Sequence, residues 1–133
     1  MREKKEVNET EEKVFFDRKQ ILKIEDIEIV EHYVEQWKSH VLIKVMTSKE
    51  RQKFQAQIRS KKSGAEDTVP ENLMETLIVM SVVDPDNRTA PMFTMPDIAL
   101  LSEKNSQALA SIFAKSAEVN GLTTGAIDKA AKN

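Results

Sequence analysis

Apolar residues that favour β-strands cluster in two neighbouring stretches of the N-terminal half. β-Branched and aromatic residues are concentrated at 27–34, and a second run of this kind, "VLIKVM", occupies 41–46. Short runs of this composition are typical of β-strands. In the second run, alternation places Val41 and Ile43 on one face and Lys44 on the other. The pattern predicts a β-hairpin, with "EQWKSH" as the connection between its strands.

Helical signals follow directly after the hairpin. The stretch "TSKE" fits a capping box, in which the Thr47 hydroxyl accepts a hydrogen bond from a backbone N–H and the Glu50 side chain reaches back. A helix is therefore predicted from this box to about Ser60, with Phe54 and Ile58 stacked on one face.

The segment "PENLMETLIVMSVV", residues 70–83, becomes apolar nearly all round after Thr76. Leu73, Leu77 and Ile78 follow helical spacing, which favours a buried central helix. A buried strand at 77–83 is the competing interpretation, because the length of the run does not separate the two.

Shorter helices are indicated by the residues at their ends. Asp17 is placed to cap a helix that ends near Lys23. Phe16 and Ile21 have the spacing of a hydrophobic staple around that cap.

Similar signals mark the C-terminal third. Thr94 is placed to begin a short helix that ends near Lys104. Asn105 or Ser106 begins the next helix, and Gly121 supplies its left-handed C-terminal cap.

These elements predict an α+β fold, with an N-terminal short helix and β-hairpin followed by a small C-terminal helical bundle. Residues 1–14 mix acids and bases with few apolar side chains, so we expect them to form a flexible leader. Residues 15–133 are expected to form a single domain, because the chain has the length of one ordinary domain.

Two close aspartates raise the question of a metal site. Asp84 and Asp86 begin the calcium-loop template, but Thr89 stands where that template needs Gly, and Met95 replaces its bidentate Glu. A turn is the favoured interpretation, because Pro85 fixes the backbone of the second position.

Other catalytic or cofactor signals are weak. The chain has no cysteine and only three glycines, which leaves no thiolate chemistry, phosphate-binding loop or dinucleotide motif. A hairpin could bring His32 and His40 together, but the chain has no cysteine to complete a zinc site, and carboxylates alone are weak partners. Neither histidine has a serine and an acid at a recognisable catalytic spacing. We therefore predict no catalytic residue, no cofactor and no metal site, and hence no enzyme.

The charges are segregated although the net charge is only −2. Residues 25–35 carry five acids and no Lys or Arg, whereas residues 49–62 carry six bases and one acid. The basic stretch could contact nucleic acid, but this alternative is not favoured. The sequence pI is about 5.8, and the bases are not interleaved with a series of aromatic residues. No run of 18 apolar residues occurs, so we expect a cytoplasmic chain without a membrane contact.

Three longer stretches, "VEQWKSHVLIKVMTSKERQKF", "SVVDPDNRTAPMFTMPDIALLSEKNSQAL" and "SAEVNGLT", occur in this order. Together they resemble the tail assembly chaperones of tailed bacteriophages. In the first stretch the resemblance lies in Trp37, Val41, Ile43, Lys44, Thr47, Glu50, Arg51 and Phe54. In the later stretches it lies in Asp84, Phe93, Thr94, Asp97, Leu101, Lys104, Asn105, Asn120, Gly121, Leu122 and Thr123.

The match covers residues 16–131 and departs from the family at two turns. "DPDNRTAP" replaces a turn that usually contains Gly, and "KS" follows Trp37 where the family usually has a Gly pair. Both turns are therefore expected to differ in shape from those of the family.

This resemblance implies a non-enzymatic chaperone in the cytoplasm of the host cell. It would bind the tape measure protein, recruit tail tube subunits and be absent from the mature virion. A frameshifted, longer form of the same chain is a further partner that the family implies. The residues expected to contact partners are Trp37, Lys44, Arg51, Phe54 and Phe93.

The sequence leaves two alternatives, one for the role of Trp37 and one for the function. Trp37 either folds over the hairpin to cover the core or anchors a partner. The alternative function is another phage-encoded binding module, such as a head-tail connector or a nucleic-acid-binding regulator.

Overall fold

The computed structural model describes residues 13–61 and 71–122, and it has the mixed α+β architecture predicted from the sequence. In chain order its helices and strands are α1 (Arg18–Lys23), β1 (Ile29–Val34), β2 (Ser39–Lys44), α2 (Ser48–Lys61), α3 (Leu73–Ser81), β3 (Val82–Asp84), β4 (Asn87–Pro91), α4 (Ile98–Leu101) and α5 (Ser106–Val119). Single 3₁₀ turns cover Glu35–Trp37 and Met95–Asp97. Most of the predicted leader and the loop predicted after α2 lie outside the described residues.

The strands form one antiparallel sheet in the order β1-β2-β3-β4. The first hairpin pairs Ile29 with Lys44 and Val34 with Ser39, which confirms the predicted hairpin. Ile43 lies on the face that packs against the helices, and Lys44 lies on the opposite face, as the alternation predicted.

A second hairpin, β3–β4, was not predicted. α3 ends at Ser81, and the chain passes directly into β3, where Val82 pairs with Ile43 of β2. The predicted helix is therefore confirmed up to Ser81, and the competing strand describes the residues after it. The free edge of β2 explains the change, because its backbone groups can bond to Val82 and Val83 only when these residues are extended.

The two aspartates that opened the question of a metal site lie in the turn of this second hairpin. The Asp84 carboxylate accepts a hydrogen bond from the Asp86 N–H at 2.8 Å, and the Asn87 side chain accepts one from the Thr89 hydroxyl at 2.7 Å. These local bonds are typical of Asx turns, so the turn interpretation is confirmed.

Two clusters of buried side chains form the core. The first joins the sheet to α3, α4 and α5 and contains Val34, Ile43, Ile78, Val79, Val82, Ile98, Leu101, Ala108, Leu109 and Ile112. The second lies between α2 and α3 and contains Met46, Phe54, Ile58, Leu77 and Leu122. Burying one such large side chain contributes roughly 1.5–3 kcal/mol, so these clusters supply most of the stabilisation.

The predicted helix starts are confirmed. Capping-box hydrogen bonds join Asp17 to Gln20 at 2.9 Å and Thr47 to Glu50 at 2.9 and 3.1 Å. The Asn105 side chain accepts hydrogen bonds from two backbone N–H groups of the first turn of α5. Each cap satisfies N–H groups that have no partner inside the helix.

α5 ends in a Schellman motif. Gly121 has a φ of +66°, and its N–H donates to the Glu118 carbonyl, while the Leu122 N–H donates to the Ala117 carbonyl at 2.7 Å. The left-handed cap predicted at Gly121 is confirmed. The motif turns Leu122 back into the second core cluster.

Just before this motif, the side chain of Asn120 links three elements. Its Oδ1 accepts a hydrogen bond from the Met46 N–H at 2.7 Å, and its Nδ2 donates to the carbonyls of Ser116 at 3.0 Å and Lys44 at 3.3 Å. The Arg51 guanidinium donates to the Asn120 carbonyl at 2.9 Å. The end of β2, the first turn of α2 and the end of α5 are therefore joined at one buried residue.

Replacing this amide should destabilise the whole domain. Asn120→Ala leaves the buried Met46 N–H without its acceptor, so we expect a loss of about 1–3 kcal/mol in the free energy of unfolding. Urea denaturation measures the loss. Gln52→Ala, an exposed position on α2, is the matched control and should change stability by less than about 0.5 kcal/mol. Equal stability of the two variants would contradict the role given to Asn120.

Candidate interaction surfaces

The N-terminal arm, defined as residues 13–24, is the most apolar exposed part of the described chain. Seven of the eleven exposed large apolar side chains belong to residues 14–27. α1 buries none of its residues, and Phe15 is 80% exposed. A helix of six residues has little stability without packing, and contiguous exposed apolar side chains indicate an interaction surface.

The staple predicted around Asp17 does not bury its members. Phe16 and Ile21 are both more than half exposed, although the capping box between them is formed. The cap thus sets the helical backbone of the arm, while its apolar side chains stay accessible.

A second apolar surface, the Phe93 pocket, lies on the segment that joins β4 to α5 and includes α4. It is a pocket of about 280 Å³ lined by Phe93, Asp97, Leu100, Leu101 and Lys104. Phe93 packs against the first core cluster and also lines the pocket, and Leu100 is 66% exposed.

The walls of the pocket are held in place by the start of the C-terminal helices. The Thr94 N–H donates to the Asp97 carboxylate at 2.9 Å, which fixes the turn that leads into α4. This arrangement can accept one apolar side chain, with a carboxylate and an ammonium group among the lining residues to orient it.

Trp37 ends the 3₁₀ turn between β1 and β2 and is 37% exposed. Lys38, which follows it, has a φ of +52°, and its ammonium group bonds to Glu35 at 3.2 Å. The turn lies against α5, and part of the Trp37 side chain is open to solvent.

The structure places Lys44 in an internal ion pair. Its ammonium group lies 2.8 Å from Glu50 Oε1, and the Lys44 side chain is 16% exposed. Burial alone would raise the pKa of the Glu50 carboxyl, but the hydrogen bonds from Lys44 and Thr47 outweigh it and lower that pKa. The pair joins the end of β2 to the first turn of α2.

Arg51 and Phe54 also face into the chain. Arg51 is bonded to the Asn120 carbonyl, and Phe54 is 1% exposed within the second core cluster. In this conformation Phe54 packs in the core, because Phe54 and Ile58 form the apolar face of α2 that packs against Leu77 of α3. Of the five predicted contact residues, Phe93 packs partly against the core and lines an accessible pocket, and Trp37 is partly exposed in the hairpin turn.

The two histidines lie on opposite faces of the sheet. His32 Nε2 and the Ser111 hydroxyl of α5 are 2.6 Å apart, whereas His40 stacks on Tyr33 with ring centroids 5.0 Å apart. Burial, helped by the positive charge of Lys115 and by His40, lowers the pKa of His32. Sequence reasoning missed Ser111, since the pair is 79 residues apart and no local signal marks it.

Across residues 13–61 and 71–122, no group of three or more His, Asp or Glu is arranged to hold a metal ion. The same ranges contain no helix with the length and apolar character needed to cross a bilayer.

Comparison with known proteins adds no match to this geometry. A scan against protein-family models matched none, and searches of curated proteins and of solved structures found no match either.

The Lys44–Glu50 pair predicts a specific pH dependence. Because the pKa of Glu50 is lower in the folded chain, its contribution is complete above the ordinary glutamate value and is lost as the pH falls through the lowered one. Glu50→Gln keeps a side chain that suits the capping box but carries no charge. We expect this variant to be less stable than the parent at pH 7 and the difference to disappear in acid, as measured by urea denaturation across pH. A difference that stays constant with pH would contradict the assignment.

Proposed function

We propose that this chain is a non-enzymatic chaperone of bacteriophage tail assembly. It binds the tape measure protein in the host cytoplasm, recruits tail tube subunits and leaves before the virion is complete. The motif resemblance over residues 16–131 supports this proposal. So does the confirmed hairpin, which carries the Trp37 turn, followed by the helix that begins at the Thr47 box.

The Phe93 pocket is the observation that carries the proposal furthest. A tape measure protein is long, helical and apolar, so its chaperone needs a surface that accepts apolar side chains from a helix. A shallow apolar pocket with polar groups among its lining residues suits this form of recognition, in which anchors at helical spacing enter a groove. Leu100 and Phe93 supply the apolar walls, and Asp97 and Lys104 supply the charged groups.

Trp37 is proposed as a further anchor, because its partly exposed ring is held against the body of the domain. Large aromatic side chains that are rigid before binding lose little entropy on association and are common interface anchors. Lys44, Arg51 and Phe54 have a different role in the proposal, since their internal bonds and packing fix the hairpin and α2 that present Trp37.

Capture of the co-expressed tape measure protein tests the proposal. The tagged parent chain should retain it from a lysate, and the purified pair should then retain tail tube subunits. Failure to retain either protein would overturn the proposed function.

A pair of neighbouring variants tests the pocket itself. Leu100→Glu places a charge in the pocket and removes roughly 1.5–3 kcal/mol of apolar burial, so capture should weaken by about tenfold or more. Ala99→Glu makes the same charge change at the adjacent exposed position, which does not line the pocket, and should bind as the parent does. Normal capture by Leu100→Glu would remove the pocket from the proposal.

A further inference from the structure

We infer that the N-terminal arm docks on the acidic edge strand of a second copy of this chain, and that each copy gives its arm to the other. This inference does not depend on the proposed function. It rests on the apolar exposure of the arm, on the free edge of β1 and on the order of charges along residues 13–35.

The arm has the composition of a docking helix. Residues 13–23 carry four bases and one acid, a formal charge of +3, together with five exposed large apolar side chains. The capping box at Asp17 already sets the helical backbone, so less order has to be gained on binding. An apolar and acidic surface would therefore cover the exposed apolar side chains of the arm and pair with its bases.

β1 offers such a surface. It is an edge strand that contains Glu31, and the residues that flank it add Glu25, Asp26, Glu28 and Glu35. Residues 25–35 thus carry five acids and no Lys or Arg, a formal charge of −5. Within the described residues Glu35 pairs with Lys38, whereas Glu28 and Glu31 have no ion pair. Tyr33 and Ile27 are exposed beside these acids and add apolar area.

The register of the first hairpin shows which backbone groups of the edge face outward. The Val45 N–H donates to the Glu28 carbonyl at 2.9 Å, so Glu28 and every second residue after it bond toward β2. The backbone groups of Ile29, Glu31 and Tyr33 therefore point away from the sheet. No bond joins these groups to another described residue, so this edge is open within the described part of the chain. A helical arm, whose backbone is bonded internally, would cover the edge with its side chains.

Charge order selects a second copy as the occupant. A twofold interface must be complementary to itself, so that each surface meets its opposite on the partner. Here a +3 block and a −5 block follow one another in the same chain, and a twofold axis near residue 24 places each block on the opposite block of the other copy. Arm on arm or strand on strand would instead bring like charges together, which is costly.

The surface area that this contact would bury is also close to that of a stable protein–protein interface. The two aromatic side chains of the arm, Phe15 and Phe16, can each bury about 150–250 Å². With the aliphatic side chains of the arm and the edge strand that receives the partner's arm, each copy approaches the roughly 800 Å² typical of a stable interface.

Charge reversal provides the test on the full-length chain. The arm variant is Lys19→Glu with Lys23→Glu, and the strand variant is Glu28→Lys with Glu31→Lys; all four side chains are exposed. Sedimentation velocity should show a dimer for the parent and a dissociation constant at least about tenfold higher for each variant. Mixed in equal amounts, the two variants should form a dimer of one copy of each, because both arm–strand contacts then join opposite charges. Native mass spectrometry identifies the mixed dimer.

Lys49→Glu with Lys53→Glu is the matched control, since it reverses two exposed charges at the same helical spacing on α2. It should dimerise as the parent does, and circular dichroism should show that all variants are folded. A monomeric parent, a mixture that stays monomeric, or a control that dissociates like the arm variant would each overturn the inference. A monomeric parent whose arm variant loses the tape measure protein would assign the arm to that client instead.

Discussion

The buried amide of Asn120 is the interaction on which the rest of the structure depends. It satisfies the Met46 N–H where β2 ends and bonds to the backbone of both Lys44 and Ser116, so it fixes the sheet relative to α5. The Schellman motif directly after it returns Leu122 to the second core cluster. A buried polar network of this kind is stabilising only when every member is paired, which makes the position of α2 relative to α5 specific.

This arrangement also decides which side chains remain for recognition. Internal bonds and packing hold Lys44, Arg51 and Phe54. These residues, which the sequence motifs indicated as partner contacts, therefore serve mainly to position α2. We propose that recognition uses apolar surface that the fold does not bury: the N-terminal arm, the Phe93 pocket and the exposed part of Trp37. We assign the N-terminal arm to a second copy of the chain and the Phe93 pocket to the client. The reason is that the charges of the arm are opposite to those of β1 and its flanking residues.

Sequence reasoning succeeded where the physical cause is local. The capping boxes, the hairpin and the left-handed cap at Gly121 depend on residues within a few positions of one another. It missed β3–β4, because Val82 becomes a strand residue only by pairing with Ile43, far away along the chain. The bonds from Asn120 to Met46 and between His32 and Ser111 span 74 and 79 residues, and no pattern in the sequence marks them. The exposure of Phe93 and of the arm likewise depends on what the rest of the chain covers.

Hydrogen–deuterium exchange tests most directly the claim that recognition uses this exposed apolar surface. The chain would be measured alone and in its co-expressed complex with the tape measure protein. Slower exchange in residues 93–104, which form the Phe93 pocket, is the result we predict, with the core strands β2 and β3 unchanged. A stable complex in which residues 93–104 exchange as fast as in the free chain would contradict the claim.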